Sequence, residues 1–155
     1  MELTYHQLFF TFSMMFEFFK KKKPVQQDEH NVVGISSGDS TIVAIKQKAQ
    51  EELWYLIKFM SENEKDEELF RYAIKTRFEE GSTAEHMWVQ VSDFNDGNFI
   101  GRLANEPSTI KRLKYGDDVQ ILRDDVEDWI LQDFLTNTRV GGFSSEYVRN
   151  AKQGK

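Results

Sequence analysis

The spacing of apolar residues along this chain changes from a helical period to a strand period near residue 69. Before that point, apolar side chains recur at intervals of three and four, which places them on one helical face. That face comprises Ile42, Ile45, Ala49, Leu53, Leu56 and Met60. Asp39 or Ser40 supplies an N-terminal cap, and the charged residues 62–68 end the element. The pattern therefore predicts one amphipathic helix.

After the helix, apolar and polar residues alternate in short runs, which is typical of strands with one buried face. The predicted strands are residues 69–78, 85–91, 99–104, 119–122 and 126–131. Residues 95–98, Asn-Asp-Gly-Asn, provide the positive φ angles that a hairpin turn requires. Gly101 has no side chain, which indicates a bend or a bulge. Pro107 ends the pairing because it has no backbone N–H to donate.

Together these elements predict an α+β fold, in which the N-terminal amphipathic helix packs on a bent antiparallel sheet of 4–5 strands. Short strands with turns and bulges also curl readily, so a partly open small barrel is an alternative. Phe143, Tyr147 and Val148 are expected to dock a last element. We expect residues 1–38 to be a poorly ordered leader and linker, 39–150 a single domain, and 151–155 a tail.

The leader combines an apolar run, residues 8–19, with four lysines that follow it. The run is too short to span a bilayer, which requires about 20 apolar residues. In a secretory signal the positive charge precedes the apolar run, so the order here is reversed. One interpretation is interfacial membrane contact from Phe9 to Lys23, with the lysines on anionic head groups. The other is that translation starts at Met14 or Met15, or that the leader is loose.

Composition excludes several functional classes. The chain has 155 residues, with 26 Asp and Glu against 20 Lys and Arg, and its net charge of −6 disfavours binding to nucleic acid. It contains no cysteine, so disulfides and thiolate sites are excluded and a cytoplasmic location is favoured. Neither a phosphate-binding glycine loop nor a metal-ligand spacing is present in the sequence. We therefore expect no cofactor and no metal, and oligomeric state stays open.

Four residues near the predicted hairpin are candidates for a binding site: His86, Trp88, Asn105 and Glu106. A catalytic His86 would act as a general base and would need a carboxylate, Glu85, Glu106 or Asp128, to orient it. The alternative is a structural histidine that bonds a loop carbonyl. No nucleophile turn accompanies His86, so no residue is assigned a catalytic role.

The segment Asn105-Glu106-Pro107 directly follows a predicted strand. An amide and a carboxylate at a strand end can hold a small polar ligand or a peptide backbone. Asn and Pro also form turns, which is the structural alternative. Aromatic side chains could line a groove or fill the core; they are Trp54, Tyr55, Trp88, Phe94 and Trp129.

The order of these motifs resembles the YegJ-like proteins, a bacterial family grouped as a domain of unknown function. The residues that carry the resemblance are 85–89, Phe94, 99–107, 115–119, Asp128-Trp129 and Gly142-Phe143. They lie between Ile42 and Val148, and residues 1–38 fall outside the resemblance. The resemblance implies an intracellular α+β domain, sometimes attached to repeat modules. It implies no reaction and no site residues.

From the residues we expect a non-catalytic cytoplasmic module that binds a protein or peptide partner at the edge or mouth of its sheet, because exposed sheet edges accept added strands. An inhibitor or immunity-type protein that faces a basic partner is a specific form of this hypothesis. The alternative is a small hydrolase-like or ligand-binding enzyme that uses His86 with a nearby carboxylate.

Overall fold

A computed structural model of the chain describes residues 40–63 and 66–153, with side chains as far as residue 150. The predicted leader, the linker and the cap at Asp39 lie outside the described residues. In chain order the elements are α1 (Ser40–Glu62), β1 (Phe70–Glu80), β2 (Thr83–Asn95), β3 (Asn98–Leu103), β4 (Asp118–Leu122), a 3-10 turn (Arg123–Asp125), β5 (Val126–Asp133), β6 (Thr138–Gly141) and α2 (Phe143–Gln153). The predicted helix and all five predicted strands are confirmed.

The strands form one antiparallel sheet in the order β4-β3-β2-β1-β5-β6. The predicted α+β class is therefore confirmed, with six strands in the sheet instead of four or five. β4 and β6 are its two edges, so the sheet is open and the alternative of a partly open barrel is wrong. No sequence pattern predicts β6, because this strand has four residues, none of them buried, and so lacks the alternation that reveals a strand.

The hairpin between β2 and β3 turns at Asp96-Gly97, where both residues have positive φ angles, 48° and 78°. Further along, the register shifts between Val91 and Asp93, so β2 carries a bulge. Gly101 lies opposite Val91, and a Cβ at this position would overlap the backbone oxygen of Gln90. The sequence predicted a bend or a bulge at Gly101, and the structure places the bulge on the neighbouring strand β2, beside the pair that Gly101 forms with Val91. Only glycine lets the two strands approach this closely.

The core lies between α1 and one face of the sheet. Four of the six apolar residues predicted to share a face of α1 are buried: Ala49, Leu53, Leu56 and Met60. Ile42 and Ile45, in the first turns of the helix, are half-buried. Trp129 of β5 is fully buried, and its indole Nε1 donates to the backbone oxygen of Ala49 at 3.0 Å. Burying an apolar side chain of this size contributes about 1.5–3 kcal/mol, so this contact fixes the helix against the sheet.

The opposite face of the sheet, called the outer face below, is largely polar. Its members on β1 to β4 include Arg71, Lys75, Arg77, His86, Trp88, Gln90, Ser92, Ile100, Arg102, Gln120 and Leu122, and none of these is buried. Antiparallel sheets often keep one face in water while the other packs on the core. Two of the candidate site residues, His86 and Trp88, therefore project from the solvated side of the sheet.

Candidate functional site

Glu85, which precedes His86 on β2, ties the segment after Pro107 to the sheet. Its carboxylate accepts the backbone N–H groups of Ser108 and Thr109, both at 3.0 Å, and the Thr109 hydroxyl at 3.1 Å. Partial burial raises the pKa of Glu85, but the hydrogen bonds from Thr109 and Ser108 outweigh it and lower the pKa below its ordinary value of 4.5. Glu85 therefore serves this segment as a structural acceptor.

Asn105 ties the same segment back to β2. Its Oδ1 accepts the backbone N–H of Trp88 at 2.6 Å, while the backbone N–H of Ala104 donates to the Trp88 oxygen at 2.8 Å. The last pair of the β2–β3 ladder is Val89 with Leu103. The side-chain oxygen of Asn105 thus takes the place of a strand carbonyl beyond the end of the ladder. This geometry agrees with the turn-forming interpretation of Asn105.

Asp128 is fully buried and holds the N-terminus of α2. Its carboxylate accepts the backbone N–H groups of Phe143 at 3.1 Å, Ser144 at 2.8 Å and Trp129 at 2.8 Å, and the Ser144 hydroxyl at 2.6 Å. The unpaired amides and the dipole of a helix N-terminus both stabilise a negative charge. Because these groups occupy its oxygens, Asp128 does not orient His86.

His86 is paired with Glu127 of β5, a partner that no sequence pattern predicts. Nδ1 of His86 lies 2.5 Å from Oε2 of Glu127, and Nζ of Lys46 on α1 lies 3.8 Å from Oε1. The side chain of His86 is 42% exposed, and that of Glu127 is 19% exposed. The structure therefore corrects the hypothesis that Glu85, Glu106 or Asp128 supplies the carboxylate next to His86.

The four candidate residues do not converge on one point. Trp88 is half-buried, with Nζ of Lys75 5.6 Å from its ring centroid, and its backbone meets Asn105. Glu106 is exposed and has no hydrogen bond or ion pair within the part of the chain that the structure describes. The structure thus joins Trp88 to Asn105, turns His86 toward Glu127, and leaves Glu106 in solvent.

The hydrolase alternative requires a concave space that His86 and its carboxylate share with a substrate. The two depressions of the outer face, described below, are lined by other residues. Among residues 40–63 and 66–153, no group of three His, Asp or Glu side chains is arranged to hold a metal ion. The catalytic alternative therefore stays a prediction. Its support in the described residues is the contact between His86 and Glu127, without a substrate pocket lined by these two residues.

β4 is an edge strand of the sheet, and no described strand lies along its outer side. Its flanking residues bond to the hairpin, Asp117 to Leu103 and Arg123 to Gly97, and the register between these two points is unbroken. Hydrogen-bonded pairs alternate with non-hydrogen-bonded pairs in an antiparallel ladder, so the odd-numbered residues of β4 bond to β3. The backbone N–H and C=O groups at positions 118, 120 and 122 therefore point away from the sheet, and no described strand pairs with them.

Exposed apolar side chains surround this edge. Ile100 on β3 is 39% exposed, Leu122 on β4 is 57% exposed, and Tyr115 just before β4 is 60% exposed. Acidic side chains lie at the two ends of the strand, where Asp118 and Asp124 are 94% and 91% exposed. β4 contains neither the proline nor the lysine with which sheet edges are often blocked. It is the part of the described surface best suited to pair with another chain.

Within the described residues, no helix has the length and apolar character needed to cross a membrane. Membrane contact from Phe9 to Lys23, suggested by the sequence, lies outside the described residues. The features above define an α+β protein in which α1 covers one face of an open antiparallel sheet. The chain belongs to a bacterial family, because the family model described as "uncharacterized protein conserved in bacteria (DUF2314)" matches residues 39–154.

Two curated relatives agree with this assignment. The chain is 32% identical over 68 residues to the "Uncharacterized protein YegJ" of Escherichia coli (strain K12), which corresponds to 44% of this chain and 43% of that protein. It is 33% identical over 72 residues to a putative ankyrin repeat protein of Neisseria meningitidis serogroup B, which corresponds to 46% of this chain and 27% of that protein. The chain thus spans less than half the length of each relative. The resemblance to YegJ-like proteins is confirmed, and no solved structure gives a significant match.

Proposed function

We propose that this protein is a non-catalytic module that binds an extended segment of a partner protein along β4. The observation that carries the proposal is the row of outward backbone N–H and C=O groups at Asp118, Gln120 and Leu122. An extended peptide that adds a strand to such an edge gains main-chain hydrogen bonds, while its alternate side chains give specificity. The added strand would lengthen the sheet beyond its present order, β4-β3-β2-β1-β5-β6.

The side chains around β4 indicate the chemistry of the partner. Ile100 and Leu122 offer apolar contact on the outer face. Asp118 and Asp124, at the two ends of the strand, are almost fully exposed, and their long contacts with Arg102 at 3.9 Å and Arg123 at 4.0 Å leave them open to a stronger basic partner. We therefore propose an extended segment with apolar residues in its middle and Lys or Arg toward its ends, since complementary charge favours association and fixes register. An inhibitor or immunity-type protein that neutralises a basic partner is a specific form of this proposal. The lack of cysteine suits action in the reducing cytoplasm.

A proline substitution on β4 tests the proposal. Gln120 forms a non-hydrogen-bonded pair with Ile100, so Gln120→Pro removes an outward N–H and places a ring at the free edge without removing a bond to β3. A displayed library of random peptides would be selected on the wild-type protein, and the selected peptides would be titrated against each variant. We expect enrichment of basic, strand-forming peptides, and a loss of affinity on Gln120→Pro of at least about tenfold.

Arg139→Pro is the matched control at the other edge. The bond from the Gly142 N–H to the Trp129 oxygen fixes the alternation on β6, so the backbone N–H of Arg139 also points outward. This variant loses the same chemical group from the opposite edge and should bind the selected peptides as the wild type does. The proposal is overturned if no peptide is enriched, or if the selected peptides bind Gln120→Pro and the wild type equally well.

A further inference from the structure

A groove runs across the outer face beside the bulge of β2. It consists of two adjoining depressions that share Glu67, Gln90 and Ser92 in their linings. The larger depression has a volume of about 160 Å³, and Arg102 and Tyr115 are among the residues that line it. Pockets for drug-sized ligands have volumes of roughly 300–1,000 Å³. A groove of this size therefore suits a much smaller molecule.

The side chains of the groove have hydrogen-bonding capacity that the fold does not use. Glu67 and Gln90 have no side-chain partner within residues 40–63 and 66–153. Nε of Arg102 is 3.9 Å from the nearest oxygen of Asp118, which is beyond hydrogen-bond distance and leaves its donors available. The hydroxyl of Ser92 donates to the Ile100 oxygen at 3.2 Å and keeps its lone pairs for a donor.

The larger depression is lined by one negative and one positive group, Glu67 and Arg102, and this pairing restricts the ligand. A simple anion would be attracted by Arg102 but repelled by Glu67. A simple cation would be attracted by Glu67 but repelled by Arg102. A molecule that carries both charges satisfies both residues at once. Gln90 lines the same depression and can donate and accept hydrogen bonds through its amide.

We propose that this groove binds a small zwitterion, namely a free amino acid or a dipeptide. Its carboxylate would meet the guanidinium of Arg102, and its ammonium would meet the carboxylate of Glu67. Guanidinium and carboxylate groups form charge-assisted hydrogen bonds that are stronger than neutral ones. The site lies on the outer face and does not use the free backbone groups of β4, so it is separate from the peptide-binding function proposed above.

Titration of the full chain with a panel of free amino acids and dipeptides, followed by amide chemical shifts in NMR, tests this inference. At least one member should shift the amides of Gln90, Ser92 and Tyr115 at millimolar concentration or below. Its N-acetyl derivative has lost the ammonium and its carboxamide has lost the carboxylate. Each derivative should bind at least about tenfold more weakly to the wild type, as expected for the loss of one charged hydrogen bond.

Two variants that each remove one charge show which charged group of the ligand each residue binds. Glu67→Gln should bind the amino acid and its N-acetyl derivative about equally, because the ammonium no longer has a partner, and Arg102→Gln should likewise fail to distinguish the amino acid from its carboxamide. Glu68→Gln, which alters the adjacent carboxylate outside the lining, should behave as the wild type. The inference is overturned if no panel member shifts the groove amides, or if the two variants retain both preferences. Gln120→Pro should bind the ligand normally, which separates this outcome from failure of the β4 proposal.

Discussion

Two regions of this molecule use polar and charged side chains in different ways: in one they bond to backbone groups, and in the other they are exposed to solvent. Glu85, Asn105 and Asp128, called the tethers here, accept backbone N–H groups and join segments that are distant in sequence. On the outer face, charged groups meet across solvent, as Arg102 does with a side chain of Asp118 that is 94% exposed. Exposed ion pairs contribute about 0–1 kcal/mol. Removing an acceptor costs most where the acceptor is buried, as Asp128 is, and less at Glu85, whose partners Ser108 and Thr109 are exposed. Stability should therefore depend on the tethers, which leaves the outer face available for binding.

The largest expected effect is at Asp128, the tether with no exposed surface. Asp128→Ala leaves the backbone N–H groups of Phe143 and Ser144 without their acceptor and opens a space beside Trp129. We expect the free energy of unfolding to fall by about 3 kcal/mol or more. Urea denaturation followed by tryptophan fluorescence measures the change.

Asp124→Ala is the control for this prediction, because it removes the same group from a side chain that is 91% exposed. Its effect should stay within about 0.5 kcal/mol. A loss of less than about 1 kcal/mol in Asp128→Ala would mean that other contacts hold the N-terminus of α2. It would also contradict the expectation that tethers contribute more to stability than the outer face does.

Glu85→Ala should have an intermediate effect that depends on pH. At neutral pH we expect a loss of about 1–2 kcal/mol, because the N–H groups of Ser108 and Thr109 lose their acceptor. The folded-state pKa of Glu85 lies below 4.5, so its contribution is complete above that pH and is lost as the pH falls through the folded-state pKa. The difference in unfolding free energy between wild type and variant should shrink in acid.

Urea denaturation of both proteins at neutral pH and at several values below pH 4.5 measures this difference. Glu106→Ala provides the comparison, since Glu106 is an exposed carboxylate in the same segment and should change stability little at any pH. A difference for Glu85→Ala that stays constant down to pH 3 or so would contradict the lowered pKa.

The periodic parts of the fold could be predicted because a period reports which side of an element is buried. On β1 the large apolar residues Phe70, Tyr72 and Ile74 fall at every second position, and this period matches the observed burial. The turn at Gly97 could be predicted for a local reason also, since few residues adopt positive φ angles. β6 escaped prediction because its residues are exposed or half-buried and show neither signal.

The contacts of the candidate site could not be predicted, because each joins residues that are far apart in the chain. His86 meets Glu127 41 positions later, and Asp128 meets Ser144 16 positions later. The sequence shows that donors and acceptors exist, but the register of β5 against β1, with its shift after Lys75, decides which of them meet. Asn105 shows the consequence. Its position at a strand end suggested a ligand site, but its side-chain oxygen accepts the backbone N–H of Trp88.

Tyr72→Phe tests the comparison between tethers and outer face from the other side. Tyr72 lies on the face of the sheet that packs on the core, and none of the tethers bonds to its hydroxyl. It is 5% exposed, and its hydroxyl has no hydrogen-bond partner among the described residues. Removing a buried hydroxyl that lacks a partner removes a desolvation cost. We therefore expect urea denaturation to show unchanged stability or a gain of up to about 1 kcal/mol, where most core substitutions destabilise.

The stability of the protein at alkaline pH gives an independent check on Tyr72. Burial, with a smaller effect from the carboxylate of Asp133, raises the pKa of Tyr72 above its ordinary value of 10.0. The unfolded chain therefore ionises first, and the wild type should lose stability as the pH rises above about 10, whereas Tyr72→Phe should be spared this loss. A destabilised Tyr72→Phe would show that the hydroxyl has a partner, such as an ordered water.

The smallest effect is expected at His86, although its contact with Glu127 is among the shortest side-chain pairs of the outer face. The His86 side chain is 42% exposed, and water can replace the pair when it is broken. His86→Ala should change the unfolding free energy by less than about 0.5 kcal/mol, and added salt should reduce this change further. Binding of peptides at β4 should be unaffected, because His86 lies on β2, with β3 between it and the edge strand. A loss of about 2 kcal/mol would show that His86 stabilises the fold as much as a tether does. The contribution of a side chain would then depend on the group it bonds to, and not on its exposure to water.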